Sequence, residues 1–448
     1  MEVLGEYLAL VKGWIWSIPL FLLLLGAGFY FTFLLKGIQF RKLVFAFREA
    51  LAPSHPERVG DISHFQSLMT TLAGAIGTGS IVGVTTSLLI GGLGALFWLW
   101  VFSLLGMATK YAESFLAVKF RVTDENGEMI GGPMEYMSRG LNWKGVALAF
   151  ACLGILGSLT TGNLVQTNSI VQSVESLFGI HPLVIGVAIA LCTGSILLGG
   201  VKSIGRMAGI IVPFMALLYL VGGLWILVMH YSVIPMTLGY VFQEAFSFSA
   251  TSGGLAGAGM LIAMREGIAR GVFTTESGLG ISTIAAAAAQ TDSAVRQGLI
   301  NMTGAFATMV ISTMTALVVG VTVLGSEGSG GQTLQMGLGP ELAIDAFRTN
   351  LIGGGVIVAI GLILFAYTTL IAWAYYGEKC CEYIFGANFN QPFRVLFTLV
   401  IIPGAIIDVR LAWELADIAN GLMAIPNVVA LLALSPIILR ETRRFFAQ

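Results

Sequence analysis

The sequence predicts an all-α polytopic membrane protein with two inverted five-helix halves and one extra N-terminal helix. Its 448 residues are 56% hydrophobic and only 10% charged, with a mean hydropathy of +0.88. This composition lies outside the range of soluble globular proteins. Long stretches lack any charged residue, and two hydrophobic stretches are interrupted by glycine-rich segments. Because lipid offers the backbone no hydrogen bonds, apolar stretches of about 20 residues are predicted to be spanning helices.

Eleven transmembrane helices are predicted. Asp, Glu, Lys and Arg are absent from residues 66–109, 145–174 and 207–243, and each of these stretches is longer than a span requires. The first apolar segment is too long for a signal peptide and has no clear cleavage site, so we expect it to be a mature helix. The predicted spans cover residues 14–35, 66–90, 94–119, 145–176, 182–200, 206–230, 255–289, 297–324, 351–377, 393–407 and 411–439.

The distribution of basic residues predicts the orientation. With the N-terminus outside, the loops and the tail assigned to the cytoplasm hold 18 of the 23 Lys and Arg residues, including Lys110. Only Lys12, Arg348 and Arg410 lie outside, and Arg265 and Arg270 lie within the seventh hydrophobic segment. Positive residues accumulate on the cytoplasmic side of membrane proteins. We therefore expect a multi-pass protein of the cell (plasma) membrane with its N-terminus outside and its C-terminus in the cytoplasm.

The order of the spans predicts the domain organisation. Residues 1–65 hold the extra helix and an amphipathic linker, in which apolar residues recur at helical spacing, as expected for a segment on the cytoplasmic lipid surface. Residues 66–231 and 255–440 hold five spans each, joined by an extracellular segment at 232–254 and followed by a tail at 441–448. Because five is odd, the two halves enter the membrane from opposite sides, which is the topology of an inverted repeat.

Each half begins with an interrupted helix, at residues 73–83 (AGAIGTGSIVG) and 271–280 (GVFTTESGLG). A broken membrane helix exposes N–H groups that attract a carboxylate and carbonyls that bind a cation, so paired breaks indicate a solute carrier. In the first break, Gly77 and Gly79 allow the backbone to bend around Thr78 and a ligand to approach closely. The alternative is that Gly79 and Gly83 form only a close helix-packing face.

Glu276 is the only charged residue between 271 and 291. A carboxylate at membrane depth is costly to bury and is a functional candidate by default. Three roles remain open for it: binding the coupling cation, carrying a proton, or holding the broken helix by accepting backbone N–H bonds.

Two further groups of polar side chains lie inside predicted spans. The fourth span carries Asn163, Gln166 and Asn168, which either join helices or bind polar groups of a substrate, and Gln166 is the favoured substrate ligand. The ninth span carries Thr368 and Thr369, whose hydroxyl oxygens suit an alkali cation. Such hydroxyls also commonly bond to the preceding helical turn instead.

Other function classes receive little support. The net charge of −1 gives no reason to expect a nucleic-acid partner, and the four cysteines form no metal or disulfide pattern. A membrane-embedded enzyme is a remote alternative, because no HExxH or GxSxG motif occurs. A channel would more naturally repeat a pore motif by oligomerisation than break two helices within one chain.

Several motifs carry a resemblance to the alanine or glycine:cation symporter family, also called the sodium:alanine symporters. Residues 131–137 (GGPMEYM) resemble its GGPxYY signature, and GTGSIVG and GVFTTESGLGISTIAAAAA resemble its two broken-helix motifs. The similarity covers essentially the whole chain. Ser80 and Thr275 stand where Asn is expected, and Glu135 stands where an aromatic residue is expected. The departure at Ser80 puts a second cation site in doubt.

The resemblance implies the five-plus-five inverted-repeat fold of the leucine and neurotransmitter sodium symporters. It implies symport of alanine or glycine, including D-alanine as a candidate, driven by Na⁺ or, alternatively, by H⁺, with no organic cofactor. The predicted substrate-binding residues are Gly77, Thr78, Gly79, Gln166, Phe273, Thr274 and Gly278. The predicted Na⁺ ligands are the carbonyls of Ala73 and Ile76 and the hydroxyls of Thr368 and Thr369.

Overall fold

The computed structural model describes residues 2–53, 57–247, 258–327, 340–351 and 353–447, and these are mostly helical. The N-terminal part contains α1 (Glu2–Ile15), α2 (Ile18–Leu34), α3 (Ile38–Arg41) and α4 (Leu43–Leu51). The first half contains α5 (His64–Ala75), α6 (Val82–Gly91), α7 (Gly94–Lys119), β1 (Val122–Thr123), β2 (Met129–Ile130), α8 (Pro133–Glu135), α9 (Lys144–Leu159), α10 (Val165–Phe178), α11 (Pro182–Leu197) and α12 (Gly200–Met229).

Helix α13 (Ile234–Ala245) connects the two halves. The second half contains α14 (Ala258–Thr275), α15 (Thr283–Ala287), α16 (Ala294–Glu327), α17 (Pro340–Asn350), α18 (Gly354–Phe385), α19 (Asn390–Gly404) and α20 (Val409–Ala447). Two π-helical turns are present, Tyr136–Gly140 directly after α8 and Thr160–Leu164 between α9 and α10.

Six helices of the described residues are long and apolar enough to cross a membrane, and two bent pairs bring the number to eight. The bent pairs are α1 with α2, at 44°, and α5 with the segment 78–91, at 61°. The shorter apolar helix α11 adds a further candidate. Several of the predicted spans correspond closely to these helices, and 94–119 coincides with α7. The total of eleven stays a prediction.

Three sequence predictions need correction. The chain is already helical from residue 2, in α1, whereas the first span was predicted to begin at residue 14. Residues 340–350, predicted as loop, form α17, while 328–339 lie outside the described residues. Lys110, predicted to lie in a cytoplasmic loop, sits inside α7 and is only 1% exposed. Its charge is satisfied by partners within the protein, which a count of charges along the sequence does not reveal.

The second break is shorter than predicted. Helix α14 continues through Gly271 to Thr275, and the irregular segment covers residues 276–282. Gly271 serves packing instead, because a Cβ there would lie 2.8 Å from the ring of Phe102 on α7. Both breaks are otherwise found in the predicted hydrophobic stretches.

The linker before α5 is paired with the segment that follows α15. Ile62 and Ala289 form a parallel bridge, and the Gln290 N–H donates to the Ile62 carbonyl at 2.8 Å. A capping box at Ser63 and Gln66 then begins α5. The start of the first broken helix and the end of the second are therefore joined through main-chain hydrogen bonds.

Arg121, just after α7, secures this junction. Its guanidinium donates four hydrogen bonds of 2.7–2.9 Å to the carbonyls of Val59, Ala287, Ala289 and Thr291. The planar fork of Arg suits several acceptors at once, whereas the ammonium of Lys is a point charge.

We expect Arg121→Met to lower the free energy of unfolding by at least about 2 kcal/mol, because hydrogen bonds to charged groups contribute about 1.5–3 kcal/mol. The measurement is thermal unfolding of the detergent-purified protein. Arg139→Met is the control, because Arg139 is 55% exposed and pairs with Glu135 on its own helical turn. Equal melting temperatures for the two variants would contradict this role for Arg121.

Candidate functional site

The first break occurs where α5 ends at Ala75 and the chain turns through a short 3₁₀ segment, Thr78–Ser80. Gly77 is required by its surroundings, because a Cβ there would lie 2.6 Å from Thr369 Oγ1 and 3.1 Å from Gln166 Oε1. The bend therefore brings the backbone of the break against side chains from α18 and α10. Close packing therefore requires a glycine at this position.

Gln166 contacts the first break directly. Its Oε1 accepts a hydrogen bond from the Thr78 N–H at 3.3 Å, and its Nε2 donates to the Thr161 carbonyl at 3.0 Å. Thr161 belongs to the π-helical turn that precedes α10, where the wider turn leaves a carbonyl free for a side chain. The turn therefore fixes the amide of Gln166 beside the break.

The neighbouring amides join helices. Asn163 donates to the Phe397 carbonyl at 2.7 Å, and Asn168 donates to the Ile407 carbonyl at 2.8 Å. Asn163 is thus joined to α19, and Asn168 to the connection between α19 and α20, so both have the joining role that the sequence left open. Among the three amides considered, only Gln166 has a hydrogen bond to the break among the described contacts.

The first break meets the last turn of α14, just before the second break, at Gly79 and Phe273. A Cβ at Gly79 would overlap the ring of Phe273, which stands on the last turn of α14. The Phe273 ring lies 5.0 Å from the Trp413 ring of α20, measured between centroids. Thr274 is buried and its hydroxyl donates to the Gly271 carbonyl at 3.2 Å. One small apolar wall therefore faces the backbone of the first break.

The predicted cation ligands are only partly brought together. Thr369 Oγ1 lies 2.7 Å from the Ala73 carbonyl oxygen and 2.9 Å from the Phe365 carbonyl oxygen, which share its single proton, so it lies directly beside the end of α5. Thr368 Oγ1 donates to Phe365 at 3.0 Å, which is the bond to the preceding turn that the sequence allowed as the alternative. Ile76, at the C-terminal end of α5, is buried.

Two aromatic residues extend the contact between α18 and α5. Trp373 donates to the Gly74 carbonyl at 3.3 Å, and Tyr376 donates to the Thr70 carbonyl at 3.0 Å. Thr369, Trp373 and Tyr376 follow one another at helical spacing and face the same helix end. Thr369 and Trp373 satisfy the Ala73 and Gly74 carbonyls, which lie in the last turn of α5 and would otherwise lack partners.

Polar groups without partners remain at the first break. Thr78 Oγ1 and Ser80 Oγ are fully buried and have no hydrogen-bond partner within the described ranges. Buried polar groups are normally hydrogen-bonded, and exceptions suggest a role beyond folding. These hydroxyls are therefore available to a polar ligand at the break.

The second break has an unusual backbone. Glu276, Gly278 and Gly280 have φ values of +52°, +94° and +76°. Glycine adopts such angles freely, whereas for Glu276 the left-handed region costs about 1–2 kcal/mol. The segment therefore needs support from the surrounding helices.

That support comes from residues that the sequence analysis did not single out. Glu113 Oε1 accepts from the Gly278 N–H at 2.8 Å, and Asn427 Nδ2 donates to the Gly278 carbonyl at 2.8 Å. Both backbone groups of Gly278 are thus already bonded within the protein, unlike the freed groups expected of a substrate ligand. The sequence held a signal, because Glu113 is a charged residue inside the predicted span 94–119, and Lys110 falls within the same bounds although it was counted with the cytoplasmic basic residues.

An ionic cluster lies beside the Phe273 and Trp413 rings. Asp417 Oδ2 is 3.6 Å from Arg270 Nη2 and 2.7 Å from Lys12 Nζ, and Trp16 Nε1 donates to the Asp417 carbonyl at 2.8 Å. The Arg270 guanidinium lies 5.1 Å from the centre of the Trp413 ring. The extra N-terminal helix α1 thus contributes directly to this cluster.

The site as a whole combines backbone freed by a helix break, unpartnered hydroxyls, one amide and an apolar wall. Such an arrangement can hold a small molecule with one polar, charged end and a short apolar part. Grouped metal-ligating His, Cys, Asp and Glu side chains are absent from the part of the chain that the structure describes.

Comparison with known proteins agrees with this geometry. The sodium/alanine symporter AgcS of Methanococcus maripaludis is 46% identical over 441 residues, covering 97% of this chain and 96% of that protein. The probable sodium/glutamine symporter GlnT of Bacillus subtilis is 32% identical over 455 residues, covering 100% of this chain and 92% of that protein. The structure of MhsT in complex with L-phenylalanine matches with a TM-score of 0.57 at 16% identity, covering 85% of this chain and 98% of that one.

The match to MhsT shows the fold, which is that of the leucine transporter and its relatives, as the sequence predicted. The model of the sodium:alanine symporter family matches residues 1–448. The predicted family is therefore confirmed, as is the prediction that the protein is a transporter and not an enzyme. The chain belongs to the sodium:alanine symporter family and is a sodium-coupled amino acid symporter.

Proposed function

We propose that this protein imports alanine and glycine together with Na⁺ across the plasma membrane by alternating access. The observation that carries this proposal is the set of contacts at the first break, where Gly79 meets Phe273 at the end of α14 and Gln166 accepts from the Thr78 N–H. We keep the predicted orientation, with the N-terminus outside and the C-terminus in the cytoplasm. It rests on the positive-inside distribution of the basic residues, from which Lys110 is now removed.

The amino acid is proposed to bind with its carboxylate at the backbone of Thr78 and Gly79. The Thr78 N–H bond to Gln166 is 3.3 Å long, so a carboxylate can replace it with a shorter, charge-assisted bond. Gln166 and the unpartnered Thr78 hydroxyl then face the polar end of the substrate.

The apolar part of the substrate is proposed to face Phe273 and Thr274. The Phe273 ring already occupies the space in front of Gly79 and is backed by Trp413. A substrate therefore has room for little more than a hydrogen atom or a methyl group as its side chain. This restriction favours glycine and alanine over longer amino acids. For Gly278 we propose a supporting role in shaping the break.

Na⁺ is proposed to bind between the end of α5 and α18. Thr369 and the Ala73 carbonyl already lie together, and the Ile76 carbonyl is close to them in sequence at the end of α5. Thr368 would join this set by turning its hydroxyl away from the Phe365 carbonyl. Hard oxygen ligands of this kind suit an alkali cation.

Proton coupling is the second candidate, and Glu276 favours it. Its side chain is 1% exposed, and neither carboxylate oxygen has a hydrogen bond with normal geometry within the described ranges, although Ser282 and Trp373 lie beside it. A buried carboxyl with free oxygens can accept a proton. The competing structural role is supported by the place of Glu276 at the start of the second break.

We expect radiolabelled alanine to accumulate in proteoliposomes of the purified protein only when an inward Na⁺ gradient is imposed, because Na⁺ binding is coupled to closure of the site. Parallel samples receive an inward H⁺ gradient or no gradient. Accumulation with an H⁺ gradient alone would refute sodium coupling and would support protonation at Glu276 as the coupling step. Accumulation of glutamine in preference to alanine would refute the proposed substrate.

We expect Thr369→Ala to raise the Na⁺ concentration for half-maximal uptake about tenfold, equivalent to about 1.4 kcal/mol, because one oxygen ligand is lost. Thr369→Ser keeps the hydroxyl and should remain within about threefold of the wild type. Thr308→Ala is the control, since its buried hydroxyl donates to the Ala305 carbonyl on α16. An unchanged Na⁺ dependence in Thr369→Ala and in the double Thr368→Ala, Thr369→Ala variant would remove these hydroxyls from the ion site.

We expect Phe273→Ala to admit valine and leucine, because it removes the ring that limits the space before Gly79. The measurement is competition by unlabelled amino acids for alanine uptake. Phe115→Ala removes a buried ring of α7 and is the control for a general loss of packing. A Phe273→Ala variant that still accepts only alanine and glycine would show that another group limits the side chain.

A further inference from the structure

We propose that Lys110 and Glu113 of α7 are positioning residues that hold residues 276–282 in the conformation that places Phe273 over the first break. The inference rests on the proposed substrate site and adds to it the groups that fix its second wall. It assigns a role to two buried charges that contact neither the proposed substrate ligands of the first break nor the proposed Na⁺ ligands.

The two charges are placed to act together. Lys110 and Glu113 lie three residues apart, so they share one face of α7. They are 1% and 0% exposed. A charged side chain at membrane depth is costly unless it has partners, and these two find theirs mainly in the second break.

Glu113 and Asn427 together enclose the Gly278 peptide groups. Glu113 Oε1 accepts both from the Gly278 N–H, at 2.8 Å, and from Asn427 Nδ2, at 2.7 Å. The same Asn427 nitrogen donates to the Gly278 carbonyl at 2.8 Å. Asn427 Oδ1 in turn accepts from the Tyr136 hydroxyl. A residue outside any helix thus has both backbone groups satisfied by side chains from α7 and α20.

Lys110 holds the two ends of the same segment. Its ammonium donates to Ser282 Oγ at 2.5 Å and to the Glu276 carbonyl at 3.5 Å. Ser282 is the residue immediately before α15, and Glu276 is the residue immediately after α14. One side chain therefore spans the break from its first residue to its last.

The segment needs such external support because of its backbone. Its three positive φ values, one of them at a non-glycine residue, alternate with ordinary ones, so local hydrogen bonding within the segment is sparse. Gly106 brings α7 close enough to reach it, since a Cβ there would lie 3.0 Å from Ser277 Cβ. Side chains of α7, and not local propensity, therefore fix the path of the chain.

The direction in which Phe273 points depends on this path. Phe273 lies three residues before Glu276 on the last turn of α14, and α14 packs tightly on α7. A Cβ at Gly267 would overlap the Ala95 carbonyl, so the two helices approach each other at backbone distance. Releasing Gly278 or Ser282 would free the end of α14 to rotate and move the Phe273 ring away from Gly79.

The test compares Glu113→Met, Glu113→Gln and Lys110→Met in proteoliposomes. We expect Glu113→Met and Lys110→Met to raise the KM for alanine at least about tenfold with a smaller change in Vmax, because the substrate wall is displaced. Glu113→Gln should stay within about threefold of the wild type, since its amide oxygen still accepts from Gly278. Tyr111→Phe is the matched control, because Tyr111 is buried on α7 and bonds to Thr442 instead.

A second measurement does not depend on the substrate. Hydrogen exchange of peptides covering residues 276–282 should be about tenfold faster in Glu113→Met than in the wild type and Tyr111→Phe, because the Gly278 N–H loses its acceptor. If the wild type fails to transport alanine, the proposed substrate is refuted. The difference in hydrogen exchange would still support the positioning role. Equal exchange in all variants would overturn the positioning role even where alanine uptake is normal.

Loss of folding would not leave the question open. If Glu113→Met does not yield folded protein, Ser282→Ala removes the acceptor of Lys110 at the end of the segment while the charges of α7 remain. An unchanged KM and unchanged exchange in a folded Ser282→Ala variant would overturn the proposal. A Glu113→Gln variant as impaired as Lys110→Met in both measurements would also overturn it, because the retained acceptor would then have no effect.

Discussion

Every backbone group freed by a helix break at membrane depth must find a partner within the protein, because lipid supplies none. The rest of this structure follows from that requirement. At the first break the partners come from α10 and α18, through Gln166, Thr369 and Trp373. At the second break they come from α7 and α20, through Glu113 and Asn427. Each break is thus supported by helices that are themselves continuous.

The two breaks are supported differently, and the difference matches their proposed roles. The first keeps the hydroxyls of Thr78 and Ser80 buried without partners among the described residues, so part of its bonding capacity is free for a ligand. At the second break both peptide groups of Gly278 are bonded to side chains, and the groups without partners among the described residues are the Glu276 carboxylate and the Ser277 hydroxyl. The backbone at Gly278 is therefore suited to hold a wall in place, while the first break is suited to bind.

The extra N-terminal helix is part of the same assembly. Lys12 and Trp16 of this region both contact Asp417, which also lies near Arg270 of α14. Because Phe273 lies less than one turn beyond Arg270, the helix that precedes the two halves is connected to the wall of the site. Separate close approaches at Gly77, Gly79 and Gly106 bring the two breaks against their neighbours, since a Cβ at any of these glycines would collide with or crowd an adjacent side chain.

The sequence alone determined the membrane class, the two breaks, the family and most of the residues at the first break. These features depend on composition, on spacing along one chain and on motifs of neighbouring residues, which are visible without a fold. Gln166 was found because an amide inside a span needs a partner. Only the tertiary structure decided that Asn163 and Asn168 join helices, that Lys110 is buried and that Glu113 and Asn427 hold Gly278. These residues are separated by up to 314 positions, and the energy of a buried charge depends on which atoms surround it, which no local pattern records.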